Sequence, residues 1–557
     1  MKSCQKSEPD VMKIAILLYI VSSFLLTPST AEDDPSDNQE SENSEDTVDV
    51  FTKCYEHLGC VQTDSNWYHK IYRPINLKPA DRHIIKTDFL LLKQSETDPE
   101  SMLYNSFVAI EGSMKAAGFN NASQLMIIIH DFTGNGYSGW IKNLAFTMIK
   151  NALDYNLVSV DWQRGAEPPY DQALANSRVV ALEIIALLKE LKESMHYSFD
   201  NVHIVGHGVG AHIAGYVGGT YNKIKKITGL DPNGPRFHGM PNIVKLNPDC
   251  AKYVEVIHTD SYDSRSQGIN ESLGHSDFYV NSAPNQPGCS NNPVFSDLLS
   301  VDRSNLKEGQ ILPGCSHKRS FKYFIEAVSN GNCTFMGISC DGPKEFDEGR
   351  CNSCNDSGRD CKFFGLKTYM NAAQNIKYYL NSGDQTPYCM FQYRMNISIK
   401  GDSKVGYFDF ILVDEHANVA EAVLTSESSS NYRDIKGGQS NIFVYYAHPP
   451  KLGPLKEAKV RWNEEKKFYC ILFCKQSITV DKITVNFLGT GSEDGRYETV
   501  LCPTNGEMEI ENGSYKTFTN CSPKSKSSST AVPKTTSSTR TSTKMTTKKV
   551  NRHKHKS

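Results

Sequence analysis

The sequence lacks a strong net charge, since 60 Lys and Arg residues stand against 63 Asp and Glu residues. A chain with a net charge of −3 has no general electrostatic reason to bind nucleic acid. It also lacks any apolar run as long as the ~20 residues that cross a bilayer. The longest run, at 14–26, follows Lys13 and precedes small residues at 29–31. We therefore predict a signal peptide over residues 1–31, a secreted protein and no transmembrane span.

Each end of the chain lacks charge of one sign. Residues 32–49 contain nine acids and no base, and no acid follows Glu511. Such polar segments cannot bury a core, so we predict disorder in an acidic segment, 32–50, and in a Ser/Thr/Lys-rich tail, 522–557. The composition of the tail is also typical of an O-glycosylated stalk. One interpretation of the chain is therefore a structural surface protein with a mucin-like tail.

Cysteine, in contrast, is not scarce, and 16 cysteines in a secreted chain indicate disulfides. Cys4 falls in the signal peptide, so one of the remaining fifteen is a free thiol or pairs between chains. Short spacings predict local loops at 54–60, 340–351, 354–361 and 502–521. Cys351 and Cys354 have no second CxxC or matching His nearby, which argues against zinc. Sequons, as possible glycosylation acceptors, occur at Asn121, Asn270, Asn332, Asn355, Asn396, Asn512 and Asn520.

Between residues 51 and 385, short apolar runs alternate with amphipathic stretches. The runs at 125–129, 157–162, 202–205, 227–231 and 254–260 predict strands. Residues 138–153 and 171–194 have apolar side chains at helical spacing. This alternation favours an α/β domain with a mostly parallel sheet and helices on both faces. Ligands of such sheets bind at the carboxyl ends of the strands.

The pattern changes from residue 386, where short strands alternate apolar and polar residues between Gly, Asp and Asn turns. They are predicted at 391–399, 405–413, 442–446, 460–462, 468–473 and 483–487. We predict an all-β sandwich over residues 386–521.

The segment Gly206-His207-Gly208-Val209-Gly210 follows one of these strands and precedes a run of small residues. It resembles a nucleophile elbow, Gly-x-Ser-x-Gly, except that Gly208 has no side chain. A second interpretation is a dinucleotide-binding loop ending at Ala211, with Asp231 as the acid after the next strand. Two strand–helix units precede the loop, however, whereas the dinucleotide fingerprint normally opens its domain.

The order of Gly208, Asp231 and His317 is the order of nucleophile, acid and histidine in α/β-hydrolases. In that arrangement His317 accepts a proton while Asp231 holds its tautomer. A surface-loop histidine fits the same spacing, so position alone does not decide between the two.

Several further segments resemble the pancreatic lipase family. They lie at 54–60, 158–162, 201–207, 210–215, 227–232, 256–260 and 274–278. The resemblance implies an α/β-hydrolase fold followed by a PLAT domain, a β-sandwich that contacts lipid or a protein partner. It also implies roles for individual residues. These are Asp231 and His317 as acid and base, Gly208 at the nucleophile position, Phe132 and Val209 as backbone donors of the oxyanion hole, and Cys289 with Cys315 as a disulfide closing a lid that includes 294–299.

The departures from that family concern its chemistry. Gly208 supplies no oxygen, so no acyl-enzyme can form there. Asp131 replaces a glycine, and its carboxylate either points at the oxyanion hole, where it would repel an oxyanion, or points to solvent. The family's calcium loop falls on Asn242, Lys245, Asn247 and Cys250, with Asp249 one place away. Because two carboxylates are missing, we predict no metal and no cofactor.

Three hypotheses follow. The leading one is a secreted, catalytically inactive lipase homologue that binds lipid, lipid particles or a protein through its cavity and PLAT domain. The second is an active carboxylic-ester hydrolase of lipid catabolism that uses His317 on water or a relocated serine. The third is the structural protein with a mucin-like tail.

Overall fold

A computed structural model describes residues 50–521 with gaps. The gaps are 262–265, 284, 290–313, 330, 332, 348–349, 352–353, 355–359, 367–374, 425–431, 466–475, 489–496 and 504–507. The signal peptide, most of the acidic segment, the lid stretch 294–299, the strand predicted at 468–473 and the tail therefore lie outside the described residues. Within the described ranges, no helix combines the length and the apolar composition that crossing a bilayer requires.

Residues 50–385 hold a small hairpin and a large mixed sheet. The strands are β1 Phe51–Tyr55, β2 Gly59–Thr63, β3 Asp88–Gln94, β4 Met102–Phe107, β5 Gln124–Ile129, β6 Tyr155–Asp161, β7 Val202–His207, β8 Lys226–Leu230, β9 Val254–His258, β10 Ser276–Val280, β11 Met336–Ser339, β12 Cys361–Phe363 and β13 Ile376–Leu380. Eleven of them form one sheet in the order β12-β11-β13-β10-β9-β8-β7-β5-β6-β3-β4. The strands from β6 to β13 in that order are parallel, and antiparallel strands complete both edges.

The helices of this part are α1 Arg82–Ile85, α2 Glu111–Ala117, α3 Gly139–Lys150, α4 Tyr170–Glu193, α5 Val209–Thr220, α6 Cys315–Val328 and α7 Pro343–Asp347. The apolar stripe of α4 packs with α5 into the larger core, and α3 and α6 pack with the opposite face of the sheet. Central strands are buried on both faces, which explains their continuous apolar runs. The predicted α/β-hydrolase architecture is confirmed.

Two strands end earlier than their apolar runs predict. The strand at 254–260 stops at His258 because the backbone N–H groups of Thr259 and Asp260 donate to the carboxylate of Asp231. The strand at 227–231 stops at Leu230, and Asp231 itself has a left-handed backbone, with φ of 43°. Both early ends place side chains at the carboxyl edge of the sheet.

Residues 386–521 form the second sheet. Its strands are β14 Phe391–Lys400, β15 Lys404–Asp414, β16 Val419–Val423, β17 Arg433–Ile435, β18 Ser440–Ala447, β19 Leu455–Glu464, β20 Ser477–Phe487, β21 Tyr497–Pro503, β22 Met508–Glu511 and β23 Tyr515–Asn520. Pairing of β14 with both β18 and β20 folds the sheet around a core that includes Trp462 and Tyr445. β19 is far longer than the predicted 460–462. Its alternation of buried apolar residues with outward-facing Lys and Glu residues already begins at Leu455. The predicted C-terminal β-sandwich is confirmed.

Six disulfides join described cysteines. The pairs are Cys54–Cys60, Cys289–Cys315, Cys333–Cys389, Cys340–Cys351, Cys354–Cys361 and Cys502–Cys521. Cys351 and Cys354 are therefore both oxidised, which excludes a zinc half-site. Among the described cysteines, Cys250 is a free, buried thiol.

Candidate functional site

The chain passes from strand to helix at the single residue Gly208. β7 ends at His207, Gly208 has φ of 56° and ψ of −117°, and α5 begins at Val209. A Cβ on Gly206 would overlap the backbone of Gly210, and a Cβ on Gly210 would overlap the backbone of Ile129. Neither glycine can therefore be replaced by a larger residue without rearrangement. The geometry is that of a nucleophile elbow, in which a strained turn presents one side chain to the substrate.

The carboxylate of Asp131 fills the space in front of Gly208. A Cβ on Gly208 would lie 2.5 Å from Oδ2 of Asp131 and closer still to its Cγ and Oδ1. Oδ1 accepts hydrogen bonds from the backbone N–H of Val209, at 2.6 Å, and from Nδ2 of Asn233, at 3.4 Å. Asp131 is buried. Of the two orientations that the sequence allows, the Asp131 side chain has the inward one. It accepts the hydrogen bond of the Val209 N–H, which the resemblance assigns to the oxyanion hole.

His317 and Asp231, which the resemblance assigns as base and acid, are in contact. Nδ1 of His317, the third residue of α6, is 2.6 Å from Oδ2 of Asp231. Oδ1 of Asp231 accepts the backbone N–H groups of Thr259 and Asp260 at 2.7 and 3.1 Å. Nε2 of His317 faces Oδ2 of Asp131 at 3.3 Å. The imidazole is therefore held between two buried carboxylates.

This arrangement fixes the charge of His317. Burial lowers its pKa, but the hydrogen bonds to Asp131 and Asp231 and the charges of both outweigh that effect and raise the pKa to about 10. Burial likewise opposes ionisation of Asp131, yet the hydrogen bond and charge of His317 hold the pKa of that carboxyl below its usual range. At neutral pH the ring is an imidazolium and cannot accept a proton as a general base.

His207 lies beside this pair and was not singled out in the sequence. Its ring centroid is 4.4 Å from that of His317, and its Nε2 is 3.3 Å from the backbone oxygen of His317. Burial and the charge of His317 lower the pKa of His207 to about 3, so it is neutral. Its place at the carboxyl end of β7 is the signal that identifies it as a site residue.

Two other predicted features stand as follows. Phe132, assigned as a second backbone donor, is buried with its ring edge-on to Tyr170 at 5.1 Å. Cys289 and Cys315 are bonded to each other, but the segment 290–313 between them lies outside the described residues. The roles in an oxyanion hole and a lid remain predictions.

The loop predicted to correspond to a calcium site is closed by an amide. Nδ2 of Asn247 donates to the backbone oxygens of Asn242, at 2.9 Å, and Lys245, at 3.1 Å. Its Oδ1 accepts the backbone N–H of Asp249, whose side chain is exposed. The Lys245 ammonium pairs with Glu271, and Cys250 is buried as a neutral thiol. These residues do not fit a hard cation, because a hydrogen-bond donor holds the oxygens that the cation needs.

We expect calcium to have no effect on stability. The melting temperature of the metal-stripped chain should be the same without added ions and in millimolar Ca²⁺, since the two carbonyl oxygens already have partners. Replacing Asn247 with Ala should lower the free energy of unfolding by about 1–3 kcal/mol, because both oxygens lose their donor. Differential scanning calorimetry measures both effects. A rise in melting temperature with Ca²⁺ in the wild type contradicts this account of the loop.

Asp260 gives the site a pH dependence. Burial and the neighbouring Asp231 charge raise the pKa of Asp260 to about 7. Because the folded pKa lies above the unfolded value, the protonated Asp260 carboxyl makes its full contribution to folding stability below about pH 4. That contribution is lost as the pH rises through 7. Asp260→Asn should therefore stabilise the fold at pH 8, by on the order of 1–3 kcal/mol, and have little effect at pH 4. Urea unfolding at both pH values tests this, with the exposed Asp402→Asn as the control. An equal effect of Asp260→Asn at the two pH values would rule out a raised pKa.

Comparison with known proteins gives a consistent result. Residues 52–388 match the family model described as Lipase. The chain is 32% identical over 363 residues to pancreatic triacylglycerol lipase of Equus caballus, covering 64% of this chain and 76% of that protein. It is 33% identical over 431 residues to pancreatic lipase-related protein 2 of Rattus norvegicus, covering 75% and 88%. The human pancreatic triacylglycerol lipase is 32% identical over 363 residues, covering 64% and 76%.

Proposed function

Because the chain belongs to the lipase family, we propose that it is a secreted lipase-like protein that binds a lipid surface without hydrolysing it. Serine hydrolysis needs a nucleophile, a base that accepts its proton and an empty oxyanion hole. We propose that this chain lacks all three requirements, although it retains the α/β-hydrolase fold.

The position of Asp131 is the observation that carries the proposal. Its carboxylate stands where a side chain at position 208 would project, and it takes the backbone donor of Val209. An oxyanion forming there would meet a negative charge in place of a free N–H group. Removing one triad member alone leaves only ~10³–10⁴-fold catalysis over water, and that remaining catalysis comes largely from the oxyanion hole. Here the hole is occupied as well.

The charge of His317 argues against the alternative of an active ester hydrolase. A histidine that activates water directly must be neutral, whereas His317 is protonated on both ring nitrogens, with Nδ1–H directed to Asp231 and Nε2–H to Asp131. Deprotonating Nε2 removes its hydrogen bond to Asp131 and the positive charge that pairs with both carboxylates. The alternative therefore requires a site rearrangement that the described contacts oppose.

Lipid as the ligand class is supported by the family and by the sandwich. The relatives from Equus caballus and Homo sapiens are named for triacylglycerol. On the sandwich, Val419 and Val423 point outward from β16 with 52% and 40% of their surfaces exposed. Exposed apolar side chains on one face of a strand suit contact with a lipid surface better than contact with water.

Turnover of a short-chain ester and of a triacylglycerol emulsion tests the loss of catalysis. We expect the wild type and His317→Ala to give the same background rate, and a serine-directed phosphonate probe to label neither. Hydrolysis by the wild type that His317→Ala abolishes would overturn the inactive assignment.

Flotation with triacylglycerol emulsion particles tests lipid binding. We expect the purified chain to float with the particles and Val419→Asp/Val423→Asp to float several-fold less. The matched control is Ile71→Asp/Ile75→Asp, which introduces the same charge at exposed apolar residues of the other domain. If the wild type stays in the aqueous phase, the lipid proposal is wrong. If both double variants lose binding equally, the sandwich is not the contact surface.

A further inference from the structure

We propose that Asp131, His207 and His317 form a binding site for one zinc ion. One ligand atom from each residue lies within 4.8 Å of the other two, and all three side chains are buried. Two imidazoles and one carboxylate, with a fourth position left open, are a known donor set for Zn²⁺. The inference goes beyond the proposed function, because it holds whether or not the chain binds lipid.

The spacing of the Asp131 and His317 ligand atoms suits a bridging metal. Oδ2 and Nε2 are 3.3 Å apart, whereas charge-assisted N–H···O bonds usually measure about 2.7–2.9 Å. Two ligands at about 2.0 Å from a tetrahedral zinc ion stand roughly 3.3 Å from each other. The distance between Oδ2 of Asp131 and Nε2 of His317 therefore equals that between two ligand atoms of a tetrahedral zinc ion.

The surrounding hydrogen bonds leave one ring nitrogen of each histidine for a metal ion. Asp231 holds Nδ1 of His317, so Nε2 is the nitrogen that faces Asp131. Nε2 of His207 donates to the backbone oxygen of His317, which leaves a lone pair on the other ring nitrogen. A carboxylate or carbonyl behind each metal-bound histidine is the usual outer shell of a zinc site.

The charges of the site suit a divalent ion, and its donor atoms favour Zn²⁺ over Ca²⁺ and Mg²⁺. The carboxylates of Asp131 and Asp231 together offset two positive charges, and binding would displace the proton between His317 and Asp131. Two of the three donors are nitrogen, which Zn²⁺ accepts readily and which Ca²⁺ and Mg²⁺ do not prefer. From the sequence we predict no metal, and zinc is weighed there only at Cys351 and Cys354.

The test is a calorimetric titration of the chelator-stripped, disulfide-intact chain with Zn²⁺. His553 and His555 in the tail are replaced by Ala in all samples, to remove a second histidine pair. We expect one Zn²⁺ per chain, with a Kd of micromolar or less. Asp131→Asn and His317→Gln should each weaken binding by about 100-fold or more, and the exposed His416→Ala should not change it.

X-ray absorption at the zinc edge gives a second result that needs no site variant. We expect two imidazole nitrogens and a carboxylate oxygen at about 2.0 Å from the ion in the otherwise native chain. This decides the question even where Asp131→Asn or His317→Gln fails to fold. No stoichiometric binding, an ion with only oxygen ligands, or full affinity in folded Asp131→Asn would overturn the proposal.

Discussion

Restoring the serine alone should not restore a hydrolase. We expect Gly208→Ser to show no ester turnover and no reaction with a phosphonate probe. Its side chain would be forced into the carboxylate of Asp131, at a backbone with φ of 56°. The overlap and the strain together should lower the free energy of unfolding by about 2–4 kcal/mol. Chemical denaturation and intact-mass analysis after probe treatment measure the two effects.

The double variant Asp131→Gly/Gly208→Ser should behave differently. Removing the carboxylate frees the backbone N–H of Val209 and the space in front of position 208. It also removes one of the two acids that raise the pKa of His317, so the ring becomes a usable base. We expect the probe to label the introduced serine, and a rate at least about 10³-fold above either single variant.

Adding His317→Ala to the double variant is the control, and it should abolish that gain. If Gly208→Ser alone is labelled as fast as the double variant, Asp131 does not occupy the serine's space. If the folded double variant stays inert, some further feature, beyond Asp131 and Gly208, blocks the chemistry.

The largest loss of stability should come from Asp231→Asn. The buried carboxylate accepts two backbone N–H groups with one oxygen and the His317 ring with the other. An amide cannot accept at both ends, so a donor or the imidazolium is left without its partner. Breaking a buried ionic contact in this way typically costs about 3–5 kcal/mol. Urea unfolding at neutral pH measures the difference.

Asp434→Asn is the matched control for Asp231→Asn, since Asp434 is exposed and only loosely paired with Lys436. Its effect should stay within about 0.5 kcal/mol. A loss below about 1 kcal/mol in Asp231→Asn would mean that the acid is not a structural centre of the site.

Much of the fold follows from the sequence, because the central strands are buried on both faces and read as continuous apolar runs. The elbow follows from its glycine pattern after an apolar strand. The contact between Asp231 and His317 follows from the family resemblance, which assigns them as acid and base. The direction of the Asp131 side chain does not. It depends on the volume that Gly208 leaves empty and on a charged ring from α6, far along the chain.

The calcium loop shows the same limit of prediction. The sequence shows which carboxylates are missing, but not that the amide of Asn247 turns inward to both carbonyl oxygens. That orientation is set by short-range backbone geometry, in which the Asn247 oxygen caps the turn at Pro248–Cys250. The three residues of the proposed zinc site are far apart in the sequence, so no local pattern predicts that they meet.

The amide of Asn247 has a consequence for where this protein can work. An ion held by mass action dissociates when its free concentration falls, and the stability that it supplies falls with it. An amide group attached to the backbone has no such dependence, because it cannot diffuse away. The loop of this chain should therefore keep its shape in fluids poor in calcium.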